Sequence, residues 1–214
     1  MRYERCRTLF GDDFEKIQKA KVLILGVGGV GSFALDCLYR SGVQDITIVD
    51  FDTYDVTNQN RQIGSEAVGE VKVEVLARLY PGIKAINAKI DKAWIKRLDC
   101  EAYDVVLDCI DDRYAKVELL LKCHDRVISS MGSAKKCDPT KIEVASIWKT
   151  HGDPFARKIR YELKKRGFKG DFLVVFSPEE PRCKDKGSFV GVTGAFGLVL
   201  CSQAIKKIKE DKRE

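Results

Sequence analysis

The sequence predicts an α/β protein: a doubly wound, mostly parallel sheet of Rossmann-like type with a C-terminal α/β elaboration. Three observations carry that expectation. Residues 21–50, KVLILGVGGVGSFALDCLYRSGVQDITIVD, read as strand, glycine turn, helix and strand. Apolar runs of strand length then alternate with helical patterns as far as Met131. The residues able to do chemistry fall at the carboxyl ends of those runs, where open parallel sheets place their ligands.

Taken in order, residues 1–20 are a polar lead-in with a short helix over 12–20, capped by Asp12 or Asp13. Val22–Leu25 is as apolar as a strand buried on both faces requires. Gly26, Gly28 and Gly31 satisfy G-x-G-x-x-G, with Gly29 as an extra glycine, and Val30, Phe33, Ala34, Leu35, Cys37 and Leu38 follow at helical spacing. The second strand ends in Asp50, about 20 residues beyond the glycines, the spacing of a ribose-binding carboxylate. Glycines let a phosphate approach the backbone, and a helix N-terminus adds oriented N–H groups. A glycine pattern alone marks only a tight turn; between a strand and a helix it predicts nucleotide binding.

DFDTYDVTNQNRQIG (50–64) has little periodicity and reads as a long functional loop. Helical periodicity over 66–79, through Val68, Val71, Val75 and Leu79, stops at Pro81-Gly82. A strand over 83–90, a short helix over 92–98 and a strand over 103–109 follow. Asp111-Asp112 caps a helix through Cys123, and 126–130 is a further strand. Beyond Met131 the alternation loosens. Residues 141–150 alternate like a sheet strand, Pro154 opens a basic helix to Gly167, and 171–176 is another strand before a polar loop at 177–187. The last helix carries Gly191, Gly194 and Gly197, a bare backbone strip on which another element can pack closely and which also offers a surface to a second subunit. The chain reads as one domain over 1–214, with a nucleotide-binding core at 1–131 and an elaboration at 132–214 for substrate binding and dimer contacts.

A hydrophobic content of 44% against 33% charged residues describes a soluble globular protein. MRYERCR lacks an apolar signal core, so the expected location is the cytoplasm. Eight cysteines in such a chain are expected as free thiols, with Cys37, Cys109 and Cys201 in the core. No C-x-x-C occurs, which argues against a structural zinc site. The charge-free run 187–205 is too rich in glycine, serine and threonine for a membrane span. A net charge of +6 is a mild bias toward anions, but Arg157, Lys158, Arg160, Lys164, Lys165, Arg166 and Lys169 crowd one segment, and Lys206, Lys207, Lys209, Lys212 and Arg213 another. These are either solvated helix faces or a nucleic-acid surface.

A unit of this kind holds NAD, FAD, a methyl donor or ATP, and the remaining residues decide. Asn58, Arg61, Lys72 and Asp111 stand out. Arg61 offers a rigid five-donor fork and Lys72 a point charge, a pair suited to a triphosphate. Asp111 suits magnesium, which takes one or two carboxylates plus phosphate oxygens. Singly, these read as a surface ion pair, a solvated lysine and a helix cap. Together at strand ends they favour ATP with Mg2+.

GVGGVGS (26–32), DFDTYDVTNQNRQ (50–62), VGEVK (68–72) and DCIDD (108–112) resemble the ubiquitin-activating-enzyme-like, ThiF-type superfamily, which includes the adenylating enzymes of thiamine and molybdenum-cofactor synthesis. Members use ATP–Mg to adenylate a carboxylate. The resemblance implies that Gly29 and Asp50 contact the nucleoside and phosphates, that Asn58, Arg61 and Lys72 bind the phosphates, and that Asp111 holds the metal. Asp52, Gln62 and Asp112 belong to the same motifs and join the cofactor-binding set. RYER (2–5) resembles an N-terminal arginine segment that, in homodimeric members, reaches into the neighbouring subunit's ATP site. Arg5 is the matching position and Arg7 its rival, so a homodimer is the expected assembly.

GSAKKCDPTKIEV (132–144) and KTHGDPFARKIRYELKKRG (149–167) resemble the tRNA threonylcarbamoyladenosine dehydratase branch. Such enzymes adenylate the threonine carboxylate of a modified adenosine in tRNA, and a nitrogen then closes a ring. Cys183, between Arg182 and Lys184, is the one plausible nucleophile, because flanking cations favour a thiolate, yet ring closure requires none. His124 and His151 read as structural. Two other functions fit the same fold. One is adenylation of the carboxyl terminus of a ubiquitin-like sulfur-carrier protein, with a sulfur-transfer partner and a role for Cys183; the other is a non-enzymatic nucleotide-binding regulator.

Overall fold

The structure, a computed structural model, describes residues 2–185 and 187–210. Lys186, Lys212 and Arg213, named above within the polar loop and the terminal basic cluster, lie outside the described residues. Seven strands form one sheet. β1 (Lys21–Leu25) sits between β2 (Asp45–Asp50) and β4 (Val105–Asp108). β3 (Lys84–Asn87) edges the β2 side, while β5 (Val127–Ser130) and β7 (Leu173–Phe176) extend the β4 side. These six run parallel, and β6 (Glu143–Ser146) closes the far edge antiparallel to β7. The order therefore reverses between β1 and β4, the switch point at which doubly wound sheets open a binding crevice.

Alternation along each strand divides the core into two layers. Val22 and Ile24 of β1 face the cluster built with α2 (Asp13–Lys19), α3 (Gly31–Ser41), α4 (Lys72–Leu79) and α8 (Val190–Glu210). Leu23 and Leu25 face the cluster built with α5 (Lys92–Arg97), α6 (Arg113–Cys123) and α7 (Pro154–Lys165). The elaboration thus adds β6 and β7 to the sheet and one helix to each face. No helix among the described residues is long and apolar enough to cross a membrane.

Several elements differ from the sequence reading for identifiable reasons. Residues 4–10 of the lead-in form a helix, α1 (Glu4–Phe10), which leaves no residue of its own buried. α4 begins at Lys72 instead of residue 66. Val71 bridges Thr53, and the Gly69 N–H donates to the Tyr54 carbonyl at 2.8 Å while Tyr54 donates to Glu70 at 2.9 Å, so tertiary pairing claims the residues a helix would use. The alternating stretch 141–150 yields only β6, because the Ser146 hydroxyl caps a 3-10 turn over Ile147–Lys149. Cys100 and Cys123 are not free thiols but a disulfide, their Cα atoms 5.7 Å apart where the loop after α5 meets the end of α6. The other six cysteines are free; Cys201 is buried, Cys37 and Cys109 half-buried.

The glycine strip of α8 is occupied within the subunit. A Cβ at Gly197 would lie 2.4 Å from the Val30 carbonyl oxygen and 2.8 Å from the Ala34 nitrogen, and one at Gly194 would meet the Phe33 ring at 3.3 Å. Gly194 and Gly197 seat α8 on α3 within the subunit, so that part of the strip is not available to a second one.

Gly197→Ala should therefore destabilise the fold. Forcing backbone apart costs about 1–3 kcal/mol, against roughly 1 kcal/mol regained in helix propensity. Gly191→Ala, whose Cβ would meet only the half-exposed Phe189 ring, should be tolerated. Urea-unfolding midpoints compare the two, and equal stability would contradict the close α3–α8 approach.

Candidate active site

A cleft of about 1200 Å³ opens at the carboxyl ends of β1, β2, β4 and β5. Its floor is the glycine turn after β1. Gly26 has φ +86°, and a Cβ there would lie 2.8 Å from the Cys109 carbonyl oxygen after β4. A Cβ at Gly31 would lie 1.9 Å from the Gly26 oxygen, so the turn closes directly into α3. Gly28 faces the open cleft, with only Gln62 Nε2 within 4 Å of where its Cβ would be, at 3.8 Å. Gly29 lies beneath the aliphatic stem of Arg61, whose Cγ would be 3.2 Å from a Cβ.

Asp50 at the end of β2 is buried, and each carboxylate oxygen accepts one backbone N–H: Oδ2 from Val27 at 2.8 Å, Oδ1 from Asp52 at 2.9 Å. Those two bonds aim the carboxylate at the cleft rim and leave lone pairs unused. The Lys72 ammonium, nearly buried at the start of α4, lies 3.1 Å from Asp52 Oδ2, while Asp52 is half exposed. The 3-10 turn Val56–Asn58 is locked by a capping box. The Asp55 carboxylate accepts from Thr57 N–H at 2.8 Å, and Asn58 Oδ1 accepts from Asp55 N–H at 3.1 Å.

Arg61 follows that turn. Its Nη1 donates to the Thr57 carbonyl at 2.6 Å and to Asn60 Oδ1 at 2.9 Å. Among the described residues it pairs with no carboxylate, so its charge faces the cleft uncompensated. Gln62 Oε1 is buried in the cleft lining without a hydrogen-bond partner. Across the cleft Asp112 caps α6 by accepting from Ala115 N–H at 2.7 Å. Asp111, exposed beside it, lines the cleft and makes no bond to any described residue. A lone carboxylate facing a phosphate site fits magnesium, for which phosphate oxygens and water complete the shell. No group of three or more His, Cys, Asp or Glu among the described residues could hold a metal by itself.

Two sequence-selected residues fall elsewhere. Arg5 is on α1, which packs beside the far end of α3, where Tyr3 Oη donates to the Tyr39 carbonyl at 3.4 Å. The 11-residue length of α3, about 16 Å, separates it from its own cleft. Cys183 is exposed, donates to the Asp185 carbonyl at 3.4 Å and does not line the cleft. Cys109 does line it, but burial pushes its thiol up to about 12, with the Asp108 charge adding to the effect, so it is no thiolate at neutral pH.

Two buried ion pairs under the cleft escaped sequence reasoning. Lys116 and Asp108 are fully buried and 2.7 Å apart. Lys116 also donates to Ser129 Oγ at 3.3 Å and the Ser130 carbonyl at 3.0 Å, while Asp108 Oδ1 accepts from Ile110 N–H at 3.1 Å. The pair ties the ends of β4 and β5 together directly below Asp111. Its signal was a lysine at the same helical spacing as Leu119, Leu120 and Cys123, on the apolar face. On the opposite wall Lys136 donates to Asp153 at 3.2 Å and to the Ser177 carbonyl at 2.6 Å. Asp153 also caps α7 through Phe155 and Ala156. In α7, Ala156, Ile159 and Leu163 are buried, whereas Arg157, Lys158, Lys164 and Lys165, with Arg166 just past its end, are exposed. Of these, Arg166 reaches the cleft.

The glycine turn at a topological switch point, with an acid at the end of the second strand, defines a doubly wound nucleotide-binding protein. More specifically, the chain belongs to the ThiF family, whose model matches residues 3–214. It is 40% identical to the tRNA threonylcarbamoyladenosine dehydratase of Bacillus subtilis over 182 residues, covering 79% of this chain and 71% of that protein. It is 39% identical to the molybdopterin-synthase adenylyltransferase of Escherichia coli over 219 residues, covering 97% of this chain and 82% of that protein. The crystal structure of the E. coli tRNA N6-threonylcarbamoyladenosine dehydratase in complex with AMP matches with a TM-score of 0.90 at 31% identity, covering 97% of this chain and 93% of that one. Sequence and structural likeness together put the chain in the tRNA threonylcarbamoyladenosine dehydratase branch of the family.

Lys116→Ala would leave Asp108 buried without its cation. Stability should fall by about 3–5 kcal/mol, the scale of breaking a buried ion pair. Urea unfolding at neutral pH measures it, and a loss under about 1 kcal/mol would mean that the pair is as weak as a surface one.

Proposed function

We propose that this chain is an ATP-dependent dehydratase that cyclises threonylcarbamoyladenosine in tRNA through an acyl-adenylate, working in the cytoplasm as a homodimer. The observation that carries the reading is the convergence on one cleft of a glycine turn and, among the described residues, an arginine without an acidic partner and an unpaired carboxylate. The names of the relatives supply the substrate.

A carboxylate approaching the α-phosphorus of ATP meets concentrated negative charge, so cations must be fixed there beforehand. Arg61 would hold the phosphates above Gly28 and Gly29, and Lys72 would exchange Asp52 for a phosphate oxygen. Asp50 would accept from the ribose hydroxyls, with Asn58 and Gln62 lining the pocket. Asp111 would hold Mg2+, which supplies positive charge to the phosphates. The substrate carboxylate oxygen bonds to the α-phosphorus as the bond to pyrophosphate breaks. A nitrogen of the same substrate then bonds to the acyl carbon as AMP leaves, and the nitrogen's proton passes to solvent. Because the second attack is intramolecular, orientation alone accelerates it. Neither Cys183 nor Cys109 is needed as a nucleophile.

Arg5 lies too far from its own cleft to act there and would serve the partner's. Leu79, at the end of α4, and Ile86, on the edge strand β3, are exposed apolar side chains that a second copy would cover. The molybdopterin-synthase relative favours a second reading, adenylation of the carboxyl terminus of a sulfur-carrier protein with a sulfur-transfer partner. That reading leaves the exposed cations of α7 without a role.

ATP–pyrophosphate exchange separates the readings. Exchange that depends on tRNA carrying threonylcarbamoyladenosine is expected, and Arg61→Ala should slow it by roughly 100-fold or more, the scale of losing one preorganised charge contact. Exchange that depends instead on a small carrier protein would establish the second reading, and no exchange with either would contradict both.

A further inference from the structure

The cleft does not end at the nucleotide-binding residues. Its α6 wall carries Tyr114, which is 62% exposed although it lines the cavity. The Arg113 guanidinium stands 4.8 Å from the ring centroid and donates to the phenol oxygen at 2.9 Å, so the ring is held with a cation beside it. One helical turn on, on the same face of α6, is Glu118. It binds Lys92 from α5 at 3.2 Å and Arg166, just past α7, in a second ion pair. Burial works to raise the Glu118 carboxyl, but hydrogen bonds and charge from Arg166 and Lys92 bring it below the ordinary glutamate range. Glu118 therefore stays ionised at neutral pH and fixes two long cationic side chains at the cleft mouth. Lys92 keeps 61% and Arg166 36% of its side chain exposed.

We propose that Tyr114, with Arg113, Lys92 and Arg166 around it, is a stacking site for an unpaired RNA base next to the modified adenosine. This rests on the tRNA reading above and extends it to how the RNA is held. An exposed aromatic ring among anchored cations is poorly suited to an apolar protein surface. It matches what each nucleotide of a single-stranded loop offers, a flat π face and a phosphate. Arg166 also continues into the exposed Lys164, Lys165 and Lys169, so the phosphates have a path from the cleft onto α7. The other candidate for the ring is the adenine of ATP, which would share the cavity that Asp50, the glycine turn and Tyr114 line together; the cations held around the ring favour a polyanion. ATP affinity of the Tyr114 variants therefore separates the two occupants.

The test uses an anticodon stem-loop RNA carrying threonylcarbamoyladenosine and the full chain. Tyr114→Trp should show a fluorescence quench on RNA addition beyond that of Trp94 and Trp148 in the parent, with affinity retained. Tyr114→Phe should bind like the parent. Tyr114→Ala should bind the RNA roughly tenfold more weakly, within the range for losing one base–aromatic stack, while ATP affinity holds. If Tyr114→Ala binds RNA like the parent, or loses ATP instead, the stacking site is overturned. Should the Ala variant fail to fold, the Trp variant decides, and the absence of an added quench counts against the site. A parent chain that binds the stem-loop with the Tyr114 dependence but never cyclises it would sink the dehydratase reading and leave the stacking site standing. Cyclisation with a silent Tyr114 would do the reverse.

Discussion

The site depends on one close approach, that of the backbone after β1 to the backbone after β4. With a side chain at Gly26, its Cβ would stand 2.8 Å from the Cys109 carbonyl, and the two strand ends would part. Because they meet, the glycine turn and the Asp111 loop share one cleft although some 80 residues of chain separate them. The same closeness lets Gly31 start α3 directly behind the turn, with its N-terminal N–H groups beside the site. On the β4 side, Lys116 and Asp108 hold the strand ends from below, so a buried ion pair in one layer positions an exposed carboxylate in the next.

Most of the cleft's acids are engaged by neighbours, and Asp111 is the one left without a bond to any described residue. Asp50 is occupied by two backbone donors, Asp112 by a helix cap and Asp153 by a cap and Lys136. Arg61 is held by carbonyl and amide oxygens, which orient it without neutralising it. Lys72 is the exception. Its partner Asp52 is half exposed, so the pair is easily exchanged for a phosphate.

Much of this was legible in the residues. The strand–glycine–helix–acid order of 21–50 determined the centre of the sheet, and Asn58, Arg61, Gln62, Lys72 and Asp111, picked out by N-x-x-R-Q, the later lysine and D-x-x-D, all line the one cleft. What failed to read depended on contacts between distant parts of the chain. Val68 and Val71 have helical spacing, but Thr53 and Tyr54 capture that stretch as a bridge. Gly194 and Gly197 announce close packing without saying against what, and the answer is α3 of the same subunit. Cys100 and Cys123 meet only because α5 packs on α6, which no spacing rule encodes. Tyr114 and Glu118 carry no motif that marks them in the sequence, and only the folded chain shows that both line the cleft.

The most direct measurement is mass spectrometry of the nucleosides of tRNA bearing threonylcarbamoyladenosine, incubated with the protein, ATP and magnesium. Conversion to a species lighter by one water, dependent on ATP and accompanied by AMP, is the predicted result. Unaltered threonylcarbamoyladenosine, under conditions in which the same preparation exchanges pyrophosphate into ATP with another carboxylate substrate, would contradict it.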